Sequence, residues 1–424
     1  MLQRLTSLLS ALLLVMLASS AVSAAGITSS QEQQRALSEV NRYRAMAKQA
    51  PAAAAWSLNS AAWGHARYMV KESDYDHWED NRSSQYYIGY QLRDRATKYG
   101  YSNDSLSENV LSSWVGSMGT RTYLQVDNAV QWWLGAIYHR FPILNPHTQH
   151  IGYGGFRGYT GSSAVLDFGG SYSLTGPVTR WPVPNQTGVG VQSDNEWPDP
   201  LVQFGGHLPG GYPVSLIFWR GDVKYTSITM VRASDGLAVP GYRLSPRNDE
   251  PEPGMTFHKW NTALTFIPRN RLDYSTKYTV TFKGVYAANG NLSTGQAFTY
   301  TWSFTTMPAP GRLVRSTPAE GSRDVSRTPN VTLSFDQPVR SYTLVRTAYK
   351  GGLDSSGVGL SLRRASDGAE VGFTVTPPAG ATTKTVSLTP SSTLAANTTY
   401  HLTFRLADAW GRTVYDSIWF TTGS

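Results

Sequence analysis

The sequence predicts an α+β domain followed by two all-β sandwich modules, and three observations carry that expectation. Apolar residues recur at helical spacing early in the chain, first as Leu37, Val40, Tyr43 and Met46, then as Ala62, Trp63, Ala66, Met69 and Val70. From Ile151 onward the pattern turns to short runs rich in Thr, Val, Tyr and Phe, separated by glycine and proline. The second half also repeats itself. Arg232-Ala-Ser-Asp-Gly236 recurs letter for letter as Arg364-Ala-Ser-Asp-Gly368, Pro268, Leu272 and Tyr278 return as Pro390, Leu394 and Tyr400, and Phe304-Thr-Thr306 returns as Phe420-Thr-Thr422.

Taken in order, the chain starts with Met-Leu-Gln-Arg, an apolar run from Leu8 to Leu17 and small residues ending at Ala25. That is the pattern of a secretory signal over 1–25, too short for a comfortable membrane span. Ser29-Ser30-Gln31-Glu32 offers a helix start, and Leu58-Asn59-Ser60 offers a second. His65 falls on the second helix, where a packing role is expected. The polar, aromatic stretch from Asp74 to Tyr90 has no regular period and reads as a long ordered loop. A short helix is expected around Gln91–Tyr99. From Val126 an apolar helix face runs to a stop at His139-Arg140, turns through two prolines and enters the strand Ile151–Phe156, which pairs as a hairpin with Ala164–Phe168. The first domain thus spans 26–173. Residues 174–199, rich in proline, glycine and asparagine, read as a linker or edge segment. The modules follow at 200–307 and 311–424, joined by the proline-bearing hinge Met307–Gly311. The longer gap between matched positions of the first module holds the acidic, proline-rich Asn248–Gly254, an inserted loop.

Composition narrows the function classes. With 40% hydrophobic and 16% charged residues over 424 positions, the chain is globular rather than disordered. It has no cysteine, so thiol nucleophiles, thiolate metal ligands and disulfides are excluded. Its formal charge of +8 is scattered, which suits weak attraction to acidic envelope polymers but forms no nucleic-acid patch. No apolar run beyond the signal is long enough to span a membrane. The motifs of P-loops, dinucleotide folds, Gly-x-Ser-x-Gly hydrolases and His-Glu-x-x-His metalloproteases are missing.

Five of the eight histidines lie between His65 and His150, so any chemistry is expected there. In this region the residues Asn41-x-x-Arg44, Leu58-Asn59, Ala62-x-x-x-Ala66-x-x-Met69, His77, Glu108-Asn109-Val110, Trp133 with His139-Arg140, and Ile143–Pro146 leading to His150-Ile-Gly-x-Gly154 stand in a characteristic order. In that order the first domain resembles the CAP superfamily in its bacterial SCP-like form, and the β modules resemble bacterial Ig-like repeats. The resemblance implies a CAP-type α-β-α sandwich followed by two Ig-like sandwiches. It also implies a cleft in which two histidines and two acids hold a divalent ion such as zinc in several members. By position these are His77, His139 and Glu108. The second family acid is missing, since the corresponding positions are Gly135, Ala136 and Ile137, and Glu79 is the expected substitute.

Two imidazoles and a carboxylate are enough to hold zinc with a water in the open position, or to act without metal as an acid–base pair. The plain alternative is that His77 and Glu108 only pin the loop to the helix. Arg140 is expected to pair with an acid, His150 to orient the helix-to-strand junction, His147 to be solvated and Asp167 to cap a strand end. Trp63, Trp114, Trp132 and Trp133 read first as core, although a cleft wall for a lipid uses the same residue types. Three functions remain open on this reading. The first is an exported protein that binds a small ligand, lipid, envelope polymer or ion in the cleft while the β modules display it. The second is a hydrolase of peptide or cell-wall polymer, and the third is an adhesive surface protein.

Overall fold

The computed structural model describes residues 29–114, 126–158, 161–340, 359–377, 381–408 and 412–424. The expected signal over 1–25, the side chain of Trp114 and the tip of the 158–161 turn lie outside the described residues. Among those residues no helix is long and apolar enough to cross a membrane.

The first domain is a sheet between two helical layers. Its helices are α1 (Ser29–Met46), α2 (Trp56–Glu72), α3 (Leu92–Lys98), α4 (Val126–Gly135) and α5 (Ile137–Leu144). Its strands are β1 (Ala53–Ala54), β2 (Ser105–Trp114), β3 (Thr148–Arg157) and β4 (Gly161–Gly170), in the spatial order β1-β3-β4-β2. Helix α2 lies close on β3 because Gly152 and Gly154 carry no side chain. A Cβ at either would run into the backbone of Leu58–Asn59 or Ala62–Trp63. Asn59 then fixes the register by accepting from the Tyr153 amide at 2.9 Å. Arg44, fully buried, clamps the other layer by donating to the carbonyls of Ala50, Ile143, Asn145 and Thr148 at 2.8–2.9 Å.

One expected boundary is corrected. The helix does not stop at His139-Arg140. It breaks earlier, at Ala136, and resumes as α5 through His139, Arg140 and Pro142.

The first β module holds two sheets, β5-β6-β9-β8 and β11-β10-β7. These strands are β5 (Thr179–Trp181), β6 (Val214–Ile217), β7 (Asp222–Arg232), β8 (Gly241–Leu244), β9 (Ala263–Pro268), β10 (Lys277–Ala287) and β11 (Gln296–Thr305). The segment read as a linker or edge therefore supplies an edge strand, β5. Between β8 and β9 the connection is longer than its counterpart in the second module, and after the loop 248–254 it forms a short helix, α6 (Phe257–Asn261).

The second module runs from β12 (Leu313–Thr317) through β13 (Val331–Arg340), β14 (Gly359–Arg364), β15 (Glu370–Val371), β16 (Phe373–Thr376), β17 (Thr382–Pro390) and β18 (Thr399–Asp408) to β19 (Thr413–Thr421). Strand β13 pairs with β17 and, beyond a break in register, with β18, so it serves both faces of the sandwich.

The sequence repeat reappears as a repeat of hydrogen bonds. Thr306 Oγ1 donates to Asp273 O at 2.6 Å and Thr422 Oγ1 to Ala395 O at 2.6 Å. The hydroxyls of Tyr278 and Tyr400 each accept, at 2.9 Å, from Asp273 N and Ala395 N. Arg232 and Arg364 each pair with the aspartate three residues on.

The core is not divided as the sequence suggests. One hydrophobic cluster runs from α1, α4 and α5 through Trp181, Val189 and Tyr212 into the first β module, whereas the second module has a separate core. Arg140 secures the junction by donating to Leu134 O, Pro213 O and Ser215 Oγ at 2.9–3.1 Å. It contacts carbonyls and a hydroxyl rather than the acid expected for it.

Candidate functional site

Strand β2 lies at the edge of its sheet, and this position is what brings residues from both helical layers together. Successive side chains of a strand face opposite sides. Glu108 accordingly reaches the α2/α3 layer, while Asn109 reaches the other layer and donates from Nδ2 to the His139 carbonyl at 2.8 Å.

Glu108 is almost fully buried. One carboxyl oxygen accepts from His77 Nδ1 at 2.9 Å and the other from Arg95 Nη2 at 2.7 Å. Burial alone would raise this carboxyl, but Arg95, His65 and His77 outweigh it and hold the group well below the usual carboxylate range. Directly opposite on the ladder sits Asp167. It caps no strand end. It is fully buried in mid-strand, beside the Glu108 carboxylate. Burial first, and the Glu108 charge second, push Asp167 well above its ordinary value, so it carries a proton beside an ionised neighbour.

On the far side of the edge, His139 makes a matching contact. Its Nδ1 lies 3.2 Å from Glu196 Oε2, and the same carboxylate accepts from the amides of Ile137 at 2.7 Å and Tyr138 at 2.9 Å. Glu196 thus caps the N-terminus of α5, where a negative charge meets unpaired amides and the helix dipole. It comes from the stretch expected to be a linker. The neighbouring Asp194 occupies the space that a side chain at Gly135 would need. Burial and the charge of Glu196 push Asp194 up to about 7, against the lowering effect of Arg140. The acids lacking at 135–137 are therefore replaced by carboxylates reaching in from 194 and 196.

His77, Glu108 and His139 line one cleft of about 970 Å³. Glu79, the expected substitute acid, is elsewhere. It is fully buried, paired to His65 Nδ1 at 3.1 Å, and accepts from the amides of Ile88 and Gly89 at 2.7 and 3.3 Å, so it fastens the long loop to α2. His65 has the packing role expected of it, with its Nε2 3.0 Å from Asp76 O. His150 meets the Tyr101 hydroxyl at 3.0 Å. His147 is half-buried rather than solvated, and it lines the cleft beside Tyr172.

Part of the cleft wall comes from outside the first domain: Trp197 and Pro198 after Glu196, then Trp219, Met255, Phe257 and Trp260 of the first β module. Tyr138 ties the two sides together. Its ring stacks on Phe257 with centroids 4.1 Å apart, and its hydroxyl donates to Asp249 at 2.7 Å. Asp249 also holds His258, at 2.9 Å to Nδ1 and 2.7 Å to the amide. Burial would raise Asp249, but His258 and Tyr138 outweigh it and keep the carboxyl below its usual value.

The divalent ion implied by the resemblance is poorly matched by these donors. Glu108 is spent on His77 and Arg95, and Glu196 on His139 and two amides, which leaves one free imidazole nitrogen on each histidine. Among the described residues no group of three or more acidic or histidine side chains is arranged to hold an ion. Each imidazole is oriented by a carboxylate through Nδ1 and lines the cleft.

Sequence reasoning missed Glu196, Tyr138 and the aromatic wall. The empty acid position at 135–137 was the one available signal that a carboxylate had to arrive from another part of the chain.

This architecture is a helical sandwich whose edge strand carries Glu108 between two histidines of the flanking layers, followed by β-sandwich modules. Residues 37–168 match the model of the Cysteine-rich secretory protein family, and residues 227–306 and 308–422 match that of the Bacterial Ig-like domain. The chain therefore carries a CAP domain followed by two bacterial Ig-like domains, a combination consistent with an extracellular protein. It is similar to an extracellular SCP-domain protein from Bacillus anthracis, at 19% identity over 32% of this chain and 40% of that one, with a TM-score of 0.26. It is also similar to an outer surface protein of Borrelia burgdorferi, at 18% identity over 34% of this chain and 96% of that one, with a TM-score of 0.28. The chain thus spans less than half the length of the first of these. No curated protein matches.

Proposed function

We propose that this is an extracellular binding protein whose CAP domain takes a small polar ligand in the cleft between His77 and His139, with the second Ig-like module as carrier. The observation that supports this most is the pair of carboxylate-oriented imidazoles, Glu108–His77 and Glu196–His139, lining one cleft from opposite sides of the edge strand. Buried or half-buried polar groups held in fixed geometry, within a cavity of several hundred Å³ with aromatic walls, are the ordinary makings of a ligand site. A binding role also needs neither the thiols nor the recognised hydrolase motifs that the chain lacks.

Ligand-observed NMR with a fragment and metabolite library tests the reading. Hits on the full chain should lose their signal in His77→Ala with His139→Ala, while the thermal unfolding of that variant stays cooperative. A screen in which every hit persists in the double variant rejects the cleft as the site.

A further inference from the structure

We infer that the cleft binds a pyranose glycan, whose sugar rings stack on Trp197 and Trp260; this rests on the cleft reading above and names its ligand class. A single exposed apolar side chain is ordinary, but a cluster of large exposed aromatic side chains marks an interaction site. Trp197 is 62% exposed, Trp260 66% and Tyr172 61%, and all three line this same cleft.

Both tryptophans stand beside anchored residues, although their own rings are exposed. Trp197 follows Glu196, the cap of α5. Trp260 stands on α6, which is anchored through the His258 amide to Asp249 and through Phe257 to Tyr138. Its ring packs edge-on to Phe257 with centroids 5.7 Å apart. The Trp260 platform is therefore preorganised, and the chain at Trp197 is tied down through Glu196, which reduces the ordering needed on binding.

Polar groups share this wall. Ser105, Ser107, His77 and His139 line the same cleft, so hydrogen-bonding groups and exposed aromatic faces lie around one space. A pyranose has the matching character. Its axial C–H face carries slight positive charge and suits the negative face of an indole, while its equatorial hydroxyls project sideways to donors and acceptors. A hydrocarbon chain fits worse. It gains by leaving water on all sides, and on rings more than half exposed it stays wet along its outer edge.

The insertion bearing Trp260 is also not needed to close the sandwich. In the second module the equivalent strands, β16 and β17, are joined by residues 377–381 alone, so α6 is an addition to the fold at the cleft wall.

The test is calorimetry and tryptophan fluorescence on the full chain with chitotetraose and with cellotetraose. Saturable binding of either, weakened at least tenfold by Trp197→Ala with Trp260→Ala and unchanged by Trp56→Ala at a distant exposed position, supports the inference. Binding of neither tetrasaccharide overturns it, and so does binding that the paired substitution leaves intact. Palmitate binding that depends on the two tryptophans, without sugar binding, also overturns it by assigning the wall to a lipid. The two readings fail separately. If library hits still depend on His77 and His139 while both sugars fail, only the glycan assignment falls. If sugar binding survives loss of both histidines but not of the tryptophans, the glycan assignment stands and the imidazole reading falls.

Discussion

Asp167 and Glu108 face each other across one ladder, yet the protein gives them opposite charge states. Arg95 and two histidines keep Glu108 ionised, whereas burial and that very charge keep Asp167 protonated. The pair thus holds one proton, and its linkage to pH has two opposed parts. Asp167 is raised in the folded chain, so the stability it contributes is complete below its unfolded value near 3.9 and is lost as pH rises towards the folded one. Glu108 is lowered, so its contribution is present above its unfolded value near 4.3 and is lost as pH falls. Asp167→Asn should therefore stabilise the chain increasingly as pH is raised from about 4 to 8, with little gain at the acid end. Thermal unfolding of variant and parent across that range checks the sign, and a gap that narrows with rising pH contradicts it. At this scale the sequence was legible where a motif has a single use. His77, Glu108 and His139 could be named from their order, but the state of Asp167 could not, because it depends on which residue faces it on the neighbouring strand.

Helix α5 is too short to hold itself in place, and its surroundings replace what length would supply. Glu196 closes its first turn, Arg140 and Tyr138 fasten its sides to the first β module, and Asn109 holds the carbonyl of His139. The break at Ala136 follows from the same arrangement: Gly135 yields its side-chain space to Asp194, so the segment around 194–196 docks in the gap between α4 and α5. Removing a side chain that caps a helix N-terminus costs about 0.5–2 kcal/mol. Glu196→Ala should lower the unfolding free energy measured by urea titration by an amount in that range, and Glu196→Gln by less, because an amide oxygen still accepts from Ile137 and Tyr138. Equal losses in the two variants would mean that charge rather than capping carries the effect. The helical and strand periodicities located most elements, since each needs only its own apolar face. They misplaced the end of this helix because the cause of the break lies some sixty residues downstream, in a stretch whose proline and asparagine content reads as linker.

At the scale of the molecule, the repeat in the sequence invites a picture of three beads, and the distribution of apolar contacts argues for two bodies. Tyr43, Trp133 and Leu134 of the CAP domain share a core with Trp181, Tyr212 and Leu216 of the first Ig-like module. Hydrogen bonds from Gln49 to Thr179 at 2.8 Å, from Tyr212 to Leu134 at 3.1 Å and from Arg140 to Pro213 cross the same boundary. The second module closes its own core, and among the described residues Arg412 joins it to the rest, donating to the carbonyls of Pro308 and Ala309 at 2.8 and 3.1 Å and lying over the Tyr274 ring. Such contacts leave the hinge at 307–311 as the place where few apolar side chains would be uncovered by separation. The repeat itself could not reveal this difference, because the matched residues form the inner framework of each sandwich and are silent about its outer faces. Limited proteolysis should therefore cut between the Ig-like modules and leave a fragment ending near Met307 that unfolds as one cooperative unit at nearly the parent temperature. The CAP segment 26–173 expressed alone should behave differently. With the faces of α1, α4 and α5 stripped of Trp181 and Tyr212, and with Glu196 and Trp197 absent, it should aggregate or melt well below the longer fragment and lose its cleft. If instead 26–173 proves monomeric and as heat-stable as 26–307, the shared core contributes no stability, and the first Ig-like module is a separable neighbour of the cleft rather than one of its walls.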